Sequence, residues 1–334
     1  MSEALAAPPL RTSTATMRAA VIAGPGRVRI DEVARGEPAA HEVRVRLAGS
    51  GVCASNLPVW EGREWFEYPQ APGAPGHEGW GTVDATGSDV RGLAVGQRVA
   101  ALSYRAYAEY DVAPFGAVVS LPPALGDDSP FPGEPLGCAM NVFRRSDIRA
   151  GQDVTIIGIG FLGALLTQLA SAAGARVIAI SRRPFALETA RQCGAAVTIP
   201  MDDHYRITER VKRLTGGAGC HVTIEAVGLQ WPLDLAGELT RERGRLVIAG
   251  YHQDGPRQVN MQLWNWRGLD VINAHERDAM VYVDGIRAAV DAVVSGVLDP
   301  EPLYTHRFAL DELGSALDAT LRRPEGFLKA LVVV

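Results

Sequence analysis

The sequence predicts an α/β protein in which a doubly wound parallel sheet accompanies a mostly β domain. Three observations predict this fold class. A short apolar run, Val154–Ile157, leads into closely spaced glycines and then into a helical pattern of small residues. Strand-like and helix-like segments alternate from Gly151 to Ala274. Short β-like runs separated by Gly and Pro fill the stretch from Met17 to Pro122.

The composition is that of a folded globular chain and argues against several classes of partner. Its 334 residues suggest two domains, and 47% hydrophobic with 21% charged residues is ordinary. A net charge of −5 gives no reason to expect nucleic acid or an anionic membrane as partner, and no apolar run is long enough to span a bilayer. The four cysteines lack a paired spacing, which fits a reducing compartment, so we expect a cytoplasmic protein.

The N-terminal part begins with a stretch that lacks hydrophobic periodicity. Residues 1–16 are rich in Ala, Pro, Ser and Thr, and we expect a flexible tail there rather than a signal peptide. The runs that follow favour a compact β domain with a partly closed barrel. These runs are Arg18–Ile22, Arg27–Ile30, Val43–Leu47, Gly81–Ala85 and Arg98–Leu102.

The middle of the chain reads as six parallel strands with helical crossovers. The predicted strands are Val154–Gly158, Arg176–Ile180, Ala196–Ile199, Val222–Ala226, Arg245–Ala249 and Leu269–Asn273. The predicted helices are Phe161–Ala173, Phe185–Cys193, Tyr205–Leu214 and Pro232–Leu239. Two further helices, Ala279–Ser295 and Leu310–Leu321, precede a strand over Leu328–Val334. We expect 138–275 to form the parallel-sheet domain, and 17–137 with 276–334 to form the other domain.

The glycines after the first parallel strand indicate a dinucleotide site. Gly158, Gly160 and Gly163 fit G-x-G-x-x-G between a strand and a helix, which is the Rossmann context. Free N–H groups at the start of that helix favour a pyrophosphate. Ligands of such sheets bind beyond the carboxyl ends of the strands. The expected cofactor contacts are therefore Gly158, Gly160, Phe161, Leu162, Gly163, Val227, Gly228 and Ala249.

The end of the second parallel strand indicates which cofactor binds. An NAD site places an acidic residue there to bind the ribose 2′-OH. This chain has Ser181, Arg182 and Arg183 instead, which remove a repelling carboxylate and add phosphate donors. We therefore expect NADP(H) over NAD(H). The alternative is that both arginines are solvated surface charges.

Soft and hard metal donors stand at the end of one predicted strand and before another. Cys53 and the pair His77–Glu78 would suit zinc, but 24 positions between a Cys and a His are weak evidence on spacing alone. Several segments in fixed order strengthen it, because together they resemble the medium-chain dehydrogenase/reductase family in its zinc-dependent alcohol and polyol dehydrogenase branch. They are GSGVCASN (Gly49–Asn56), GHEGWG (Gly76–Gly81), VGQRVA (Val95–Ala100), YAEY (Tyr107–Tyr110), EPLGCAMNVFRR (Glu134–Arg145), EAVG (Glu225–Gly228) and LYTHRFALDEL (Leu303–Leu313).

The resemblance implies a GroES-like catalytic domain, one catalytic zinc and specific site residues. Cys53 and His77 are implied as zinc ligands, and Glu78 and Glu134 as carboxylates of which either completes the site. Ser55 is implied to pass the substrate proton, with Glu78 the other residue of the catalytic group. Sorbitol and threonine dehydrogenases are the branch most similar, because Glu134-Pro135-Leu136 stands where liver-type alcohol dehydrogenases have a ligating Cys.

Three departures from the family pattern are visible. Asn56 replaces an Asp, and Pro58 stands where relatives have a His that ends the proton relay. Only Ala100–Ala106 intervenes where relatives insert a lobe with four cysteines, so we expect no structural zinc.

The function that we expect from this resemblance is hydride transfer between a secondary alcohol or polyol, or its ketone, and NADP(H). Two alternatives remain open: a zinc-free quinone or enoyl reductase of the same superfamily, and a non-enzymatic NADP(H)-binding protein. Relatives pair through the edge of the nucleotide-domain sheet, which implies a homodimer or a homotetramer.

Overall fold

The computed structural model describes residues 11–334 and divides the chain into two compact units. The first unit holds the described residues up to Glu134, Arg307–Leu321 and Ala330–Val334, and the second holds Pro135–His306 and Arg322–Lys329. No helix in the described range is long and apolar enough to cross a membrane.

In chain order the strands are β1 (Arg11–Gly24), β2 (Arg27–Glu37), β3 (Glu42–Gly51), β4 (Gly79–Thr86), β5 (Arg98–Ala101), β6 (Tyr110–Pro114), β7 (Val118–Ser120), β8 (Asp153–Ile157), β9 (Arg176–Ser181), β10 (Val197–Pro200), β11 (Cys220–Glu225), β12 (Thr240–Ile248), β13 (Asp270–Asn273), β14 (His306–Ala309) and β15 (Ala330–Val333). The α-helices are α1 (Leu57–Glu61), α2 (Gly133–Ser146), α3 (Phe161–Ala172), α4 (Pro184–Gln192), α5 (His204–Leu214), α6 (Gln230–Leu239), α7 (Met261–Arg267), α8 (Ala279–Val294) and α9 (Leu313–Arg322).

The first unit contains a hairpin and a larger sheet. β1 and β2 pair antiparallel, and their register places Thr12 opposite Gly36 and Thr16 opposite Ala34. The predicted tail is therefore wrong for 11–16, because the backbone of this stretch pairs with β2. Residues 1–10 lie outside the described part of the chain. The larger sheet has the order β14-β15-β3-β4-β5-β7, with β6 paired to β3.

The second unit is built on a six-stranded parallel sheet with the order β10-β9-β8-β11-β12-β13. This is the Rossmann order, in which the crossover direction reverses between β8 and β11. The predicted fold class is confirmed. Val154–Ile157 are all buried, because helices cover both faces of a parallel sheet. The turns after β8 and β11 therefore flank the reversal point, where ligands of such folds bind.

Helix α8 packs with the second unit, whereas the sequence placed 276–334 with the first. The reason is a close approach to α2: a Cβ at Gly285 would lie 2.7 Å from the Gly137 carbonyl oxygen. Asn141 on α2 also donates to the Val281 carbonyl at 3.1 Å. The sequence did not identify α2 as a helix, because its Gly-Glu-Pro start and internal glycine are typical of a loop.

Candidate metal centre and nucleotide-binding turn

The metal donors meet at neighbouring ends of two antiparallel strands. β3 ends at Gly51, and Cys53 follows it just before a short 3-10 turn. His77 and Glu78 directly precede β4, and the Gly51 N–H donates to the Glu78 carbonyl at 3.1 Å. The ligand atoms of Cys53, His77 and Glu78 all lie within 4.8 Å of one another. The β3–β4 pairing thus brings together residues that are far apart in sequence.

The donor set fits a zinc ion. It offers one sulfur, one imidazole nitrogen and one carboxylate oxygen, and a catalytic zinc keeps three protein ligands. Glu78 has 0% of its surface exposed, whereas Cys53 and His77 are half-buried. A buried carboxylate beside a thiolate is stabilised by a nearby positive charge, which a divalent cation supplies.

The imidazole of His77 is oriented by a backbone carbonyl. Its Nδ1 lies 2.9 Å from the Pro75 carbonyl oxygen, so Nδ1 carries the proton and Nε2 is left to bind a metal. Asn56 donates its Nδ2 to the same oxygen at 3.3 Å and accepts the Tyr107 hydroxyl at 2.7 Å. An Asp in place of Asn56 could not donate to Pro75. The amide therefore has a local role that the sequence did not show.

Charges at this corner shift two pKa values. Burial lowers the pKa of His77, but its hydrogen bond to Cys53 and the charges of Cys53, Glu134 and Glu78 outweigh burial and raise it to about 10. Burial, followed by the charges of Glu78 and Cys53, raises the pKa of Tyr107 well above its ordinary value. Tyr107 therefore remains a neutral hydrogen-bond donor.

The other residues that the sequence singled out near Cys53 and His77 stand on neighbouring elements of the chain. Glu134 stands in the first turn of α2, and its charge acts on His77. The group within 4.8 Å contains Glu78 and does not contain Glu134. Ser55 is half-buried in the 3-10 turn after Cys53, and Pro58 is buried at the start of α1.

The glycine turn has the shape of a phosphate cradle. Gly158 has φ 96°, and a Cβ at Gly163 would lie 2.0 Å from the Gly158 carbonyl oxygen, so both positions require glycine. A Cβ at Gly160 would instead meet nothing within 4 Å. Helix α3 begins at the next residue, Phe161, and the N–H groups of its first turn have no partner within the helix. Open space before free N–H groups suits a pyrophosphate.

The three residues at the tip of β9 differ in their surroundings. Ser181 is buried, and Arg182 is exposed. Arg183 is half-buried and donates to the Phe327 and Ile159 carbonyls, the second at 3.3 Å. Two of its donor groups are therefore already engaged within the protein.

A buried carboxylate holds the turn after β11. Glu225 Oε1 accepts the Val227 N–H at 2.7 Å and the Gly228 N–H at 2.8 Å. Its Oε2 lies 3.1 Å from His252 Nε2, and His252 Nδ1 accepts from Arg257 Nε at 2.9 Å. Ala249, just after β12, donates its N–H to the Glu225 carbonyl at 2.8 Å. One residue thus fixes three predicted cofactor contacts.

Comparison with known proteins identifies a family model for part of each unit. Residues 39–123 match the model of the alcohol dehydrogenase GroES-like domain, and residues 162–291 match that of the zinc-binding dehydrogenases. The chain belongs to the zinc-dependent medium-chain dehydrogenase/reductase family. The resemblance of the sequence to this family is confirmed.

Similar members of the family include polyol dehydrogenases. Human sorbitol dehydrogenase is 26% identical, over 89% of this chain and 91% of its own length. Erythritol/L-threitol dehydrogenase from Mycolicibacterium smegmatis is 27% identical, over 95% of this chain and 97% of its own length.

Solved structures show the same fold. An alcohol dehydrogenase from Thermus sp. ATN1 has a TM-score of 0.81 at 26% identity, covering 95% of this chain and all of that one. A zinc-binding dehydrogenase from Sinorhizobium meliloti 1021, bound to NADP, has a TM-score of 0.81 at 25% identity, covering 96% of this chain and all of that one.

Sequence reasoning missed several residues that shape this dehydrogenase's site. Glu225 stood within a family motif, and a charged residue that ends a buried strand was a usable signal. His252 and Arg257 lie in an irregular segment after β12 without periodicity, so no pattern indicated them. Tyr107 is far from Asn56 in sequence, and only the fold joins them.

Proposed function

We propose that the chain is a zinc-dependent oxidoreductase that transfers a hydride between a secondary alcohol or polyol, or its ketone, and NADP(H). The observation that supports this most is the convergence of Cys53, His77 and Glu78 within 4.8 Å. The named polyol dehydrogenase relatives support the substrate class.

Cys53, His77 and Glu78 would hold the zinc, with Glu134 as a neighbouring charge. Bound there, zinc supplies a Lewis acid that makes the substrate hydroxyl more acidic, and bound nicotinamide supplies the hydride acceptor. The Pro75 carbonyl holds the His77 ring through Nδ1, which would leave Nε2 to bind the zinc. Ser55, half-buried in the 3-10 turn that follows Cys53, would relay the proton of the substrate hydroxyl, accepting it while giving up its own hydroxyl proton to solvent.

The second unit would bind the dinucleotide. The first-turn N–H groups of α3 face the open space at Gly160 and bind the pyrophosphate. The Val227–Gly228 turn, held by Glu225, borders the nicotinamide ring. Ser181 places no carboxylate at the 2′ position, and the exposed Arg182 donates to a 2′-phosphate. The NADP bound in the Sinorhizobium meliloti relative supports this cofactor class.

Metal analysis of the purified protein tests the zinc assignment. We expect about one zinc per chain in the wild type and almost none after Cys53→Ala, because the thiolate is the softest of the three donors. Cys138→Ala is the matched control, since Cys138 is also half-buried and free of disulfide bonds. Full zinc retention and normal alcohol oxidation in Cys53→Ala would refute the assignment. A zinc-free wild type that still reduces quinones with NADPH would instead identify the zinc-free reductase.

Steady-state kinetics test the cofactor assignment. We expect kcat/KM for NADP(H) to exceed that for NAD(H) by about 10-fold or more, since one charge-assisted contact contributes about 1.5–3 kcal/mol. Ser181→Asp should reverse the preference by placing a carboxylate where the 2′-phosphate binds. Equal efficiency of the wild type with both cofactors would contradict the assignment.

The proposal also includes a homo-oligomer in the cytoplasm. β13 lies at one end of the six-stranded sheet, and Trp266, just before it, has 85% of its surface exposed. An edge strand with a neighbouring exposed aromatic side chain is suited to pairing with a second copy.

A further inference from the structure

A third arginine lies near the tip of β9. Arg323 belongs to Arg322–Lys329, the short segment that packs with the second unit. It has φ 49°, in the left-handed region that non-glycine residues seldom adopt. Such a conformation persists where the surroundings fix it, and it recurs at ligand-binding positions.

Two contacts fix the segment that carries Arg323. Arg183 donates to the Phe327 carbonyl and also to the Ile159 carbonyl, which lies inside the glycine turn. The Lys329 ammonium lies 5.2 Å from the ring centre of Phe161, the first residue of α3. The segment is therefore held against the elements that would bind the cofactor phosphates.

The segment held by these contacts brings the charge of Arg323 within range of the charges of Arg182 and Arg183. Burial, and then the charges of Arg323 and Arg182, lower the pKa of Arg183. Burial, and then the charge of Arg182, lower the pKa of Arg323. Over residues 11–334, no ion pair joins Arg182 or Arg323 to a carboxylate within 4 Å. Clustered cations that repel one another without a protein anion are stabilised by an anionic ligand.

We propose that Arg323 binds the 2′-phosphate of NADP(H) together with Arg182, and that Arg183 is a positioning residue. This inference rests on the NADP(H) assignment of the proposed function. The tip of the second strand is where the ribose 2′ position lies, and Arg182 stands at that tip. A phosphate dianion can accept from two guanidinium forks at once, whereas a ribose hydroxyl carries no charge. Arg183 has already committed two donors to Phe327 and Ile159.

The test measures nucleotide binding by the full chain, so it does not depend on turnover. Isothermal titration calorimetry compares adenosine 2′,5′-bisphosphate with adenosine 5′-monophosphate, which lacks the 2′-phosphate. Arg323→Asn removes the guanidinium, and Asn tolerates the left-handed backbone. Arg322→Asn is the matched control, because it removes the same charge from the exposed neighbouring residue.

We expect Arg323→Asn to weaken binding of the 2′,5′-bisphosphate by about 10-fold, with binding of the monophosphate unchanged. Arg322→Asn should change either affinity by less than about twofold, because the charge of an exposed residue is largely screened. Equal losses in the two variants would overturn the role of Arg323. A wild type that prefers the 2′,5′-bisphosphate, with the preference intact in Arg323→Asn, would overturn this inference alone. A wild type without any preference would overturn the NADP(H) assignment as well.

Discussion

Glu225→Gln tests how the turn after β11 is held for the cofactor. Arginine always donates, so His252 Nδ1 must accept from Arg257, and the ring proton of neutral His252 is then on Nε2. Glu225 therefore accepts from His252 at Oε2 and from two backbone N–H groups at Oε1. Glutamine keeps the shape but turns one oxygen into a donor. Either orientation of the amide places an N–H against another N–H.

The expected cost follows from the contacts that are lost. A hydrogen bond to a charged group contributes about 1.5–3 kcal/mol, and a buried polar group left unpaired costs about 1–3 kcal/mol. Glu225 is fully buried, so solvent cannot replace its partners. We expect Glu225→Gln to lower the free energy of unfolding of the second unit by about 3 kcal/mol. Affinity for NADPH should fall too, because the Val227–Gly228 turn loses its anchor.

Urea unfolding followed by tryptophan fluorescence measures the first effect, and NADPH titration the second. Glu238→Gln is the matched control, because Glu238 also faces a histidine, His204, at 3.0 Å, but has 41% of its side chain exposed. An exposed pair of this kind contributes about 0–1 kcal/mol. If Glu225→Gln lowered the free energy of unfolding no more than Glu238→Gln does, the role of Glu225 as acceptor of three hydrogen bonds would be refuted.

Zinc uptake at about pH 7.5 should release a proton, because His77, with its pKa raised from 6.5 to about 10, is protonated in the metal-free chain and neutral as a ligand. Calorimetry in buffers of different ionisation enthalpy measures this, and a buffer-independent heat would contradict it. Protonated His77 should also stabilise the metal-free fold. This contribution to the free energy of unfolding is fully present below about pH 6.5 and is lost as the pH rises through about 10. Tyr107→Phe should cost about 1–3 kcal/mol of stability in urea unfolding and weaken zinc binding in a chelator competition, because Asn56 Oδ1 loses its donor; wild-type values for both would rule out this network. Light scattering at micromolar concentration should show a dimer or a tetramer, and a pure monomer would disprove the pairing expected at β13.

The parallel sheet was predictable because its strands are buried on both faces. Runs such as Val154–Ile157 are then continuously apolar, and the observed β8 begins only one residue before the predicted strand. Helix α7 and the β1 residues before Met17 were not predictable from the sequence. Exposed or polar segments of this kind take their structure from the elements they pack or pair with. In the same way, the motifs pointed to Cys53 and His77, but only the β3–β4 register showed that Glu78, and not Glu134, lies within 4.8 Å of both.

The position of β15 has a consequence for the order in which the chain matures during translation. β15 lies between β14 and β3, and the Ala330 carbonyl accepts the Val52 N–H next to Cys53. Arg322–Lys329, just upstream, belongs to the second unit and reaches Arg183 through Phe327. Because a ribosome makes these stretches after the other elements that the structure describes, each unit lacks part of its packing until they emerge. A nascent chain thus completes neither the contacts beside Cys53 nor those of Arg183 before β15 is made.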